Sequence, residues 1–245
     1  MLEGHDMKKI SKKKLVLDII TVVVIACITG AAAYINDYYH SLGVEDAIAS
    51  SDTVKVTEIK EGYFFDGEGE EDALIFYPGG KVEYSAYAPL LHELAEQGID
   101  CFLIKMPANL AVLGKDKAEH IIEDYDYTHW YMAGHSLGGA MAAAYTEGHQ
   151  EEISGLVLLG AYATDDISGA DFSVLVIYGS EDQIMNRENF EKYRSNLPKN
   201  TTIVELEGGN HSNFGNYGQQ EGDGEASISP KEQQKLVIEN IINTF

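Results

Sequence analysis

Trp130-Tyr131-Met132-Ala133-Gly134-His135-Ser136-Leu137-Gly138-Gly139-Ala140-Met141-Ala142-Ala143-Ala144-Tyr145 is the stretch on which the reading of this chain turns. Trp130–Ala133 is a short apolar run of the kind that forms a buried strand, and Leu137–Tyr145 is an alanine-rich helical pattern. Between them lies Gly-x-Ser-x-Gly, the sequence of a sharp strand-to-helix turn that exposes a serine hydroxyl. Residues two before and two after the serine must be small for strand and helix to approach, and Gly134 and Gly138 meet that need. The helix start points free N–H groups and a positive dipole end at the serine. Ser136 is therefore a candidate nucleophile, and the Leu137 N–H is a candidate oxyanion donor. A glycine-rich turn without chemistry is the competing reading.

Outward from this turn, buried-strand runs alternate with helical patterns. The strands are expected at Ala73–Tyr77, Cys101–Lys105, Gly155–Leu159, Ser173–Tyr178 and Thr202–Leu206. Thr53–Ile59 alternates as a half-exposed strand that Gly62–Phe65 can pair with. Helical patterns cover Tyr84–Gln97, Asp116–Glu123, Glu188–Leu197 and Lys231–Thr244, the last opened by Ser229 as N-cap and Pro230 at its first position. Such alternation predicts an α/β fold with a doubly wound, mostly parallel sheet. Sites in these sheets lie just past the C-terminal ends of strands.

Three such places carry suitable residues. Gly179-Ser180-Glu181-Asp182 follows Ser173–Tyr178 and offers Asp182 to orient a histidine. Glu181 is the near alternative, and Asp165 or Asp166 the distant one. His211 follows the last strand in a glycine-flanked loop and is the candidate base. The other histidines fit less well, and His135 is read as structural because the turn sets its direction. Tyr77-Pro78-Gly79-Gly80-Lys81 follows its strand with two glycines that let main chain approach a substrate carbonyl. Gly80 N–H is the first choice for the second oxyanion donor, with Lys81 N–H next.

Charge divides the chain of 245 residues. Five lysines (Lys8, Lys9, Lys12, Lys13 and Lys14) precede an almost wholly apolar run over 15–35, about the 20 residues that cross a bilayer as a helix. The domain plan is a basic cytoplasmic tail at 1–14, a transmembrane signal anchor at 15–35, a linker at 36–52 and a catalytic domain at 53–245. Lysines in front orient the anchor with the N-terminus in the cytoplasm and the remainder outside. A cleaved signal peptide, helped by Ala31-Ala32-Ala33, gives a secreted protein instead. Val24-Ile25-Ala26-Cys27 resembles a lipobox, but the apolar run continues past Cys27. After Ile35 stand 37 acidic and 12 basic residues, a net charge of -25. That sign argues against nucleic acid and favours neutral or cationic substrates. Cys27 and Cys101 both sit in apolar runs and read as buried free thiols, with no disulfide framework.

Taken in order, Tyr77–Lys81, Lys105-Met106-Pro107, Gly134–Gly139, Tyr178–Asp182 and Gly208-Gly209-Asn210-His211 resemble an α/β-hydrolase from about Val54 onward. The closer likeness is to compact bacterial dienelactone-hydrolase-like proteins. One departure stands out: the usual His-Gly of the oxyanion loop is Pro78-Gly79 here. The resemblance implies a serine hydrolase that uses no metal or organic cofactor, and it names no substrate; a small-molecule ester or related acyl substrate is the expectation. A catalytically silent scaffold of the same fold, binding a ligand or partner at the cell envelope, is the alternative. Only Ala161–Asp171 separates Leu159 from the next strand, so an open cleft without a cap is expected. Met106–Gly114 is expected either to wall the acyl side or to pack as ordinary structure. Gly215–Gly224 reads as a mobile loop near His211.

Overall fold

The computed structural model describes residues 12–245. Residues 1–11, with Lys8 and Lys9 of the basic tail, lie outside the described residues. The chain divides into two compact units, one ending at Asp37 and one running from Tyr38 to Phe245. In the first, α1 (Lys12–Asn36) is a 25-residue helix with no buried side chain. Its length of about 37 Å suffices to span a hydrocarbon core. The Thr21 and Thr29 hydroxyls donate back to the Leu17 and Ile25 carbonyls, so these polar groups need no water. Cys27 is exposed on this helix while Cys101 is buried, and both are free thiols; only Cys101 matches the expected burial.

The second unit is built on one eight-stranded sheet. Its hairpin, β1 (Lys55–Ile59) and β2 (Gly62–Asp66), is followed by β3 (Asp72–Tyr77), α2 (Ala88–Ala95), β4 (Asp100–Ile104) and α3 (Lys117–Asp124). Then come β5 (His129–His135), α4 (Leu137–Gly148), β6 (Gly155–Leu159) and β7 (Ser173–Gly179). The chain closes with α5 (Arg187–Tyr193), β8 (Thr202–Leu206) and α6 (Pro230–Thr244). The strand order is β1-β2-β4-β3-β5-β6-β7-β8. The pairs β1–β2 and β2–β4 are antiparallel, and all other pairs are parallel. This is the α/β class and the mostly parallel sheet that the alternation predicts.

Strand periodicity divides the interior into two layers. Leu74, Phe76, Leu103, Val157 and Leu175 face α2 and α6. Ala73, Ile75, Phe102, Met132 and Val174 face α3, α4 and α5. Two buried faces explain why β3, β4 and β6 are continuous apolar runs. The expected limits hold to within about two residues at most ends. The strand β1 starts later than Thr53 because the Ser51 hydroxyl accepts from Val54 N–H and makes a turn there. The helical pattern at Tyr84–Gln97 splits into a 3₁₀ turn, Tyr84–Tyr87, and α2, with Pro89 in the first turn of α2.

Two segments make contacts that their composition does not announce. Residues 38–52 pack on the domain: Val44 is buried, and Tyr39 bridges to Val82. Gly215–Gly224 is tied down, with the Asp223 carboxylate accepting from Ser212 N–H at 2.8 Å and Ser212 Oγ at 2.6 Å. Main-chain hydrogen bonds and small polar side chains do this work, and composition does not reveal them.

The helix α6 reaches the site through Gln233. Ser229 caps it, with Glu232 completing a capping box. One turn in, the buried Gln233 accepts from Asn210 N–H at 3.0 Å and donates to the Asn210 carbonyl at 2.8 Å, fixing the residue before His211. Replacing it by leucine leaves both main-chain groups buried without partners. We expect Gln233→Leu to destabilise the fold by about 2–4 kcal/mol, read as a lower urea midpoint at unchanged m-value. An unchanged midpoint contradicts this role.

Candidate active site

Ser136 occupies the junction of β5 and α4 at φ 53° and ψ -120°. Left-handed geometry at a non-glycine residue costs energy and persists only when its surroundings enforce it. Here the enforcement is visible. A Cβ on Gly134 would stand 2.5 Å from the Gly138 carbonyl carbon, and one on Gly138 would stand 2.1 Å from the Tyr77 carbonyl oxygen. The Ser136 N–H is held by the Leu159 carbonyl at 2.9 Å.

Asp182 and His211 meet in the interior. His211 Nδ1 lies 2.8 Å from Asp182 Oδ2, and both side chains are almost wholly buried. An ionised carboxylate can only accept, so Nδ1 carries the proton and the neutral ring keeps its lone pair on Nε2. His211 Nε2 is buried and has no hydrogen-bond partner among the described residues. Asp182 Oδ1 accepts from Ile184 N–H at 2.9 Å and Met185 N–H at 2.8 Å. Burial pushes the Asp182 carboxyl up, but His211 and these two main-chain donors outweigh it and hold it below the ordinary value. The alternatives go elsewhere: Glu181 accepts from Ser180 Oγ, and Asp166 caps its own turn at Ser168. Asp165 is exposed.

Gly160, which the sequence reading passes over, connects these groups. It follows β6 at φ 51°, and a Cβ there would stand 2.9 Å from His211 Nδ1 and 3.1 Å from Asp182 Oδ2. It also lines a cleft of about 310 Å³ together with Ser136 and Leu137. A glycine directly after a buried strand was the available signal.

The Gly79–Lys81 turn lies beside the start of α4, where a Cβ on Gly80 would stand 2.9 Å from Leu137 Cδ2. Lys81 N–H is committed to the Asn109 carbonyl at 2.8 Å, and Gly79 N–H to Tyr87 Oη at 3.1 Å. The N–H groups of Gly80 and Leu137 donate to nothing among the described residues. Tyr87 Oη also lies 2.7 Å from His135 Nδ1. A hydroxyl that accepts from Gly79 keeps its own proton for Nδ1, and in that tautomer a neutral His135 carries its proton on Nε2. Burial and the adjacent His211 imidazole hold His135 well below the usual histidine range. Its ring centroid is 4.3 Å from that of His211.

Ala140, Ala161, Tyr162, Ile184 and Met185 wall the cleft, and no lining residue is charged. The segment 160–172 between β6 and β7 contains no helix, so the cleft is uncapped on that side. Met106–Gly114 does not line it. Met106 and Ala111 are buried, Val112 and Leu113 point outward, and Asn109 braces the Lys81 turn. A larger hollow of about 370 Å³ between α2, α6 and residues 43–47 contains none of the expected site residues. Among the described residues, no three His, Cys, Asp or Glu side chains are gathered to hold a metal ion.

The fold and these elements define an α/β hydrolase. The chain belongs to the alpha/beta hydrolase family, whose model matches residues 73–235. No curated protein matches the chain in sequence. Among solved structures it is similar to Est1E from Butyrivibrio proteoclasticus (TM-score 0.57, 14% identity, 79% of this chain and 99% of that one). A further structure of that protein has ferulic acid bound. Mouse alpha/beta hydrolase domain-containing protein 10 is also similar (TM-score 0.57, 13% identity, 78% of this chain and 98% of that one). So is a predicted CIB-like hydrolase from Thermoplasma acidophilum (TM-score 0.53, 14% identity, 78% and 99%). At these identities the likeness is one of fold.

The lowered Asp182 carboxyl links stability to pH. The folded carboxyl binds its proton less readily than the unfolded one, so the unfolded chain takes up more protons in acid. The contribution of Asp182 is complete above the unfolded value of about 3.9 and is lost as pH falls through the lower folded value. Urea melts of wild type and Asp182→Asn should therefore differ most above about pH 4 and converge towards about pH 2. A gap that stays constant or widens in acid contradicts the assignment.

Proposed function

We propose that the chain is a serine hydrolase that cleaves small ester or related acyl bonds, of the dienelactone-hydrolase-like kind. The buried Asp182–His211 pair, packed against Gly160 of the cleft that Ser136 also lines, carries this reading. His211 takes the proton of Ser136 as the hydroxyl attacks the acyl carbon, then passes it to the leaving group. Asp182 holds the proton-bearing Nδ1 and stabilises the imidazolium. The N–H groups of Leu137 and Gly80 receive the oxyanion, and a donor of this kind is worth about 10²–10³-fold in rate. Water then attacks the acyl-enzyme, with His211 again as base. The uncharged lining supports a neutral substrate group. Because Est1E holds ferulic acid, methyl ferulate belongs beside short p-nitrophenyl esters in the substrate panel.

A fluorophosphonate probe should label the folded chain, and Ser136→Ala should abolish labelling and lower kcat by about 10³-fold or more. Absence of labelling in the wild type, or labelling that survives the substitution, sinks the assignment and leaves a silent scaffold.

We further infer that α1 is a signal anchor that leaves the hydrolase domain outside the cytoplasmic membrane. Its length, apolar composition and fully exposed surface support this reading. The full chain should sediment with membranes and resist carbonate extraction, while a chain lacking residues 1–35 should be soluble. Equal solubility of the two contradicts the anchor, and loss of the N-terminal segment from the mature protein indicates cleavage.

A further inference from the structure

Residues 38–42, directly after the apolar helix, bind both loops that carry the proposed site. Tyr39 N–H donates to the Lys81 carbonyl at 2.8 Å, and Glu83 N–H donates to the Tyr39 carbonyl at 2.8 Å. Ser41 N–H donates to Glu83 Oε2 at 2.9 Å, and Ser85 Oγ lies 3.0 Å from Ser41 Oγ. These contacts grip the end of the Gly79–Lys81 turn. From the same segment, Leu42 N–H donates to the Asn216 carbonyl at 2.8 Å. Tyr39 Oη accepts from Glu221 N–H at 3.0 Å, and the Tyr39 ring packs 5.6 Å from that of Tyr217. Asn216 and Tyr217 belong to the loop that follows His211. Asn216 N–H in turn donates to the Ala86 carbonyl at 2.7 Å, which closes a circuit around the two loops.

The turn needs this grip. Lys81 is non-glycine at φ 58°, a conformation that only surrounding contacts maintain. Its N–H is taken by Asn109 and its carbonyl by Tyr39, so both its main-chain polar groups are fixed from outside the turn. Releasing the carbonyl frees the Lys81 backbone to relax, and the Gly79–Gly80 unit beside it has no side chain to resist rotation. The Gly80 N–H then loses its aim.

We propose that residues 38–42 are a positioning strap, which fixes the Gly80 N–H relative to the His211 loop. Full turnover then depends on main chain upstream of every site residue. The proposal rests on the hydrolase reading above. An oxyanion donor acts on charge that develops in the transition state, so its misplacement lowers kcat rather than raising KM. Cleavage after Ala33 would keep the strap, whereas a chain beginning at Val44 would lack it.

The test uses the full chain in detergent with p-nitrophenyl acetate. Tyr39→Pro removes the N–H that binds Lys81. Glu83→Ala removes the acceptor for Ser41 N–H (and for His40, 3.5 Å away) and serves if the proline variant fails to fold. We expect kcat per folded molecule to fall about 10–100-fold for Tyr39→Pro and about threefold for Glu83→Ala, with KM within about twofold of wild type. Amide hydrogen exchange should quicken in residues 79–85 and 212–221. A lower Tm at unchanged kcat and KM overturns the strap and leaves an ordinary packing segment. Wild-type protein that neither turns over ester nor labels at Ser136 overturns the hydrolase reading itself; active wild type with unaffected variants overturns the strap alone.

Discussion

The left-handed kink at Ser136 is the constraint around which the domain is arranged. A serine at φ 53° carries strain on the order of 1–3 kcal/mol and stays there because its neighbours cannot move. The strand β5, the helix α4 and the end of β3 converge within a Cβ's width of one another at Gly134 and Gly138. That convergence brings the turn after β3 beside the first residue of α4. Two N–H groups from distant parts of the chain, Gly80 and Leu137, that donate to nothing among the described residues are its consequence.

Around the kink, the protein buries an ionisable pair almost completely and surrounds it with fixed donors. Asp182 receives three hydrogen bonds, so a carboxylate that burial alone would neutralise stays ionised. The His211 loop is held on both sides. Gln233 fixes Asn210 before it, and Asp223 binds Ser212 after it while also reaching Gln183 N–H in the Asp182 loop. Gly160 completes the enclosure, since any side chain there would strike the imidazole. Buried polar networks of this kind favour a single arrangement because each unsatisfied member is costly.

Much of this was legible in the residues. The strands were readable because burial on both faces demands unbroken apolar runs, and the elbow because its glycines are a steric necessity. Looking just past strand ends also singled out Ser136, Asp182 and His211 as candidates, of which the fold brings Asp182 and His211 into contact. Other features were not readable. Residues 36–52 look like a linker, yet from Tyr38 they are bound through main-chain N–H and carbonyl groups that every sequence possesses. Met106–Gly114 looks like a cleft wall because it is apolar, but its apolar residues divide between the interior and the exposed surface. Gly215–Gly224 looks mobile because it is glycine-rich and acidic, but Asp223 is spent on Ser212.

By itself, the sequence determined the sheet class, the apolar N-terminal helix and a set of candidate residues for acyl chemistry. Periodicity, steric demand at glycine and side-chain reactivity are local properties, and each residue carries them in any surroundings. Only the tertiary structure decided that Asp182 rather than Glu181 meets His211, and that Lys81 N–H is occupied while Gly80 N–H has no acceptor among the described residues. It also decided that residues 39–42 are hydrogen-bonded both to the turn after β3 and to the loop after His211. These are pairings between groups far apart in the chain, and a hydrogen bond depends on distance and direction, which exist only once the chain has folded.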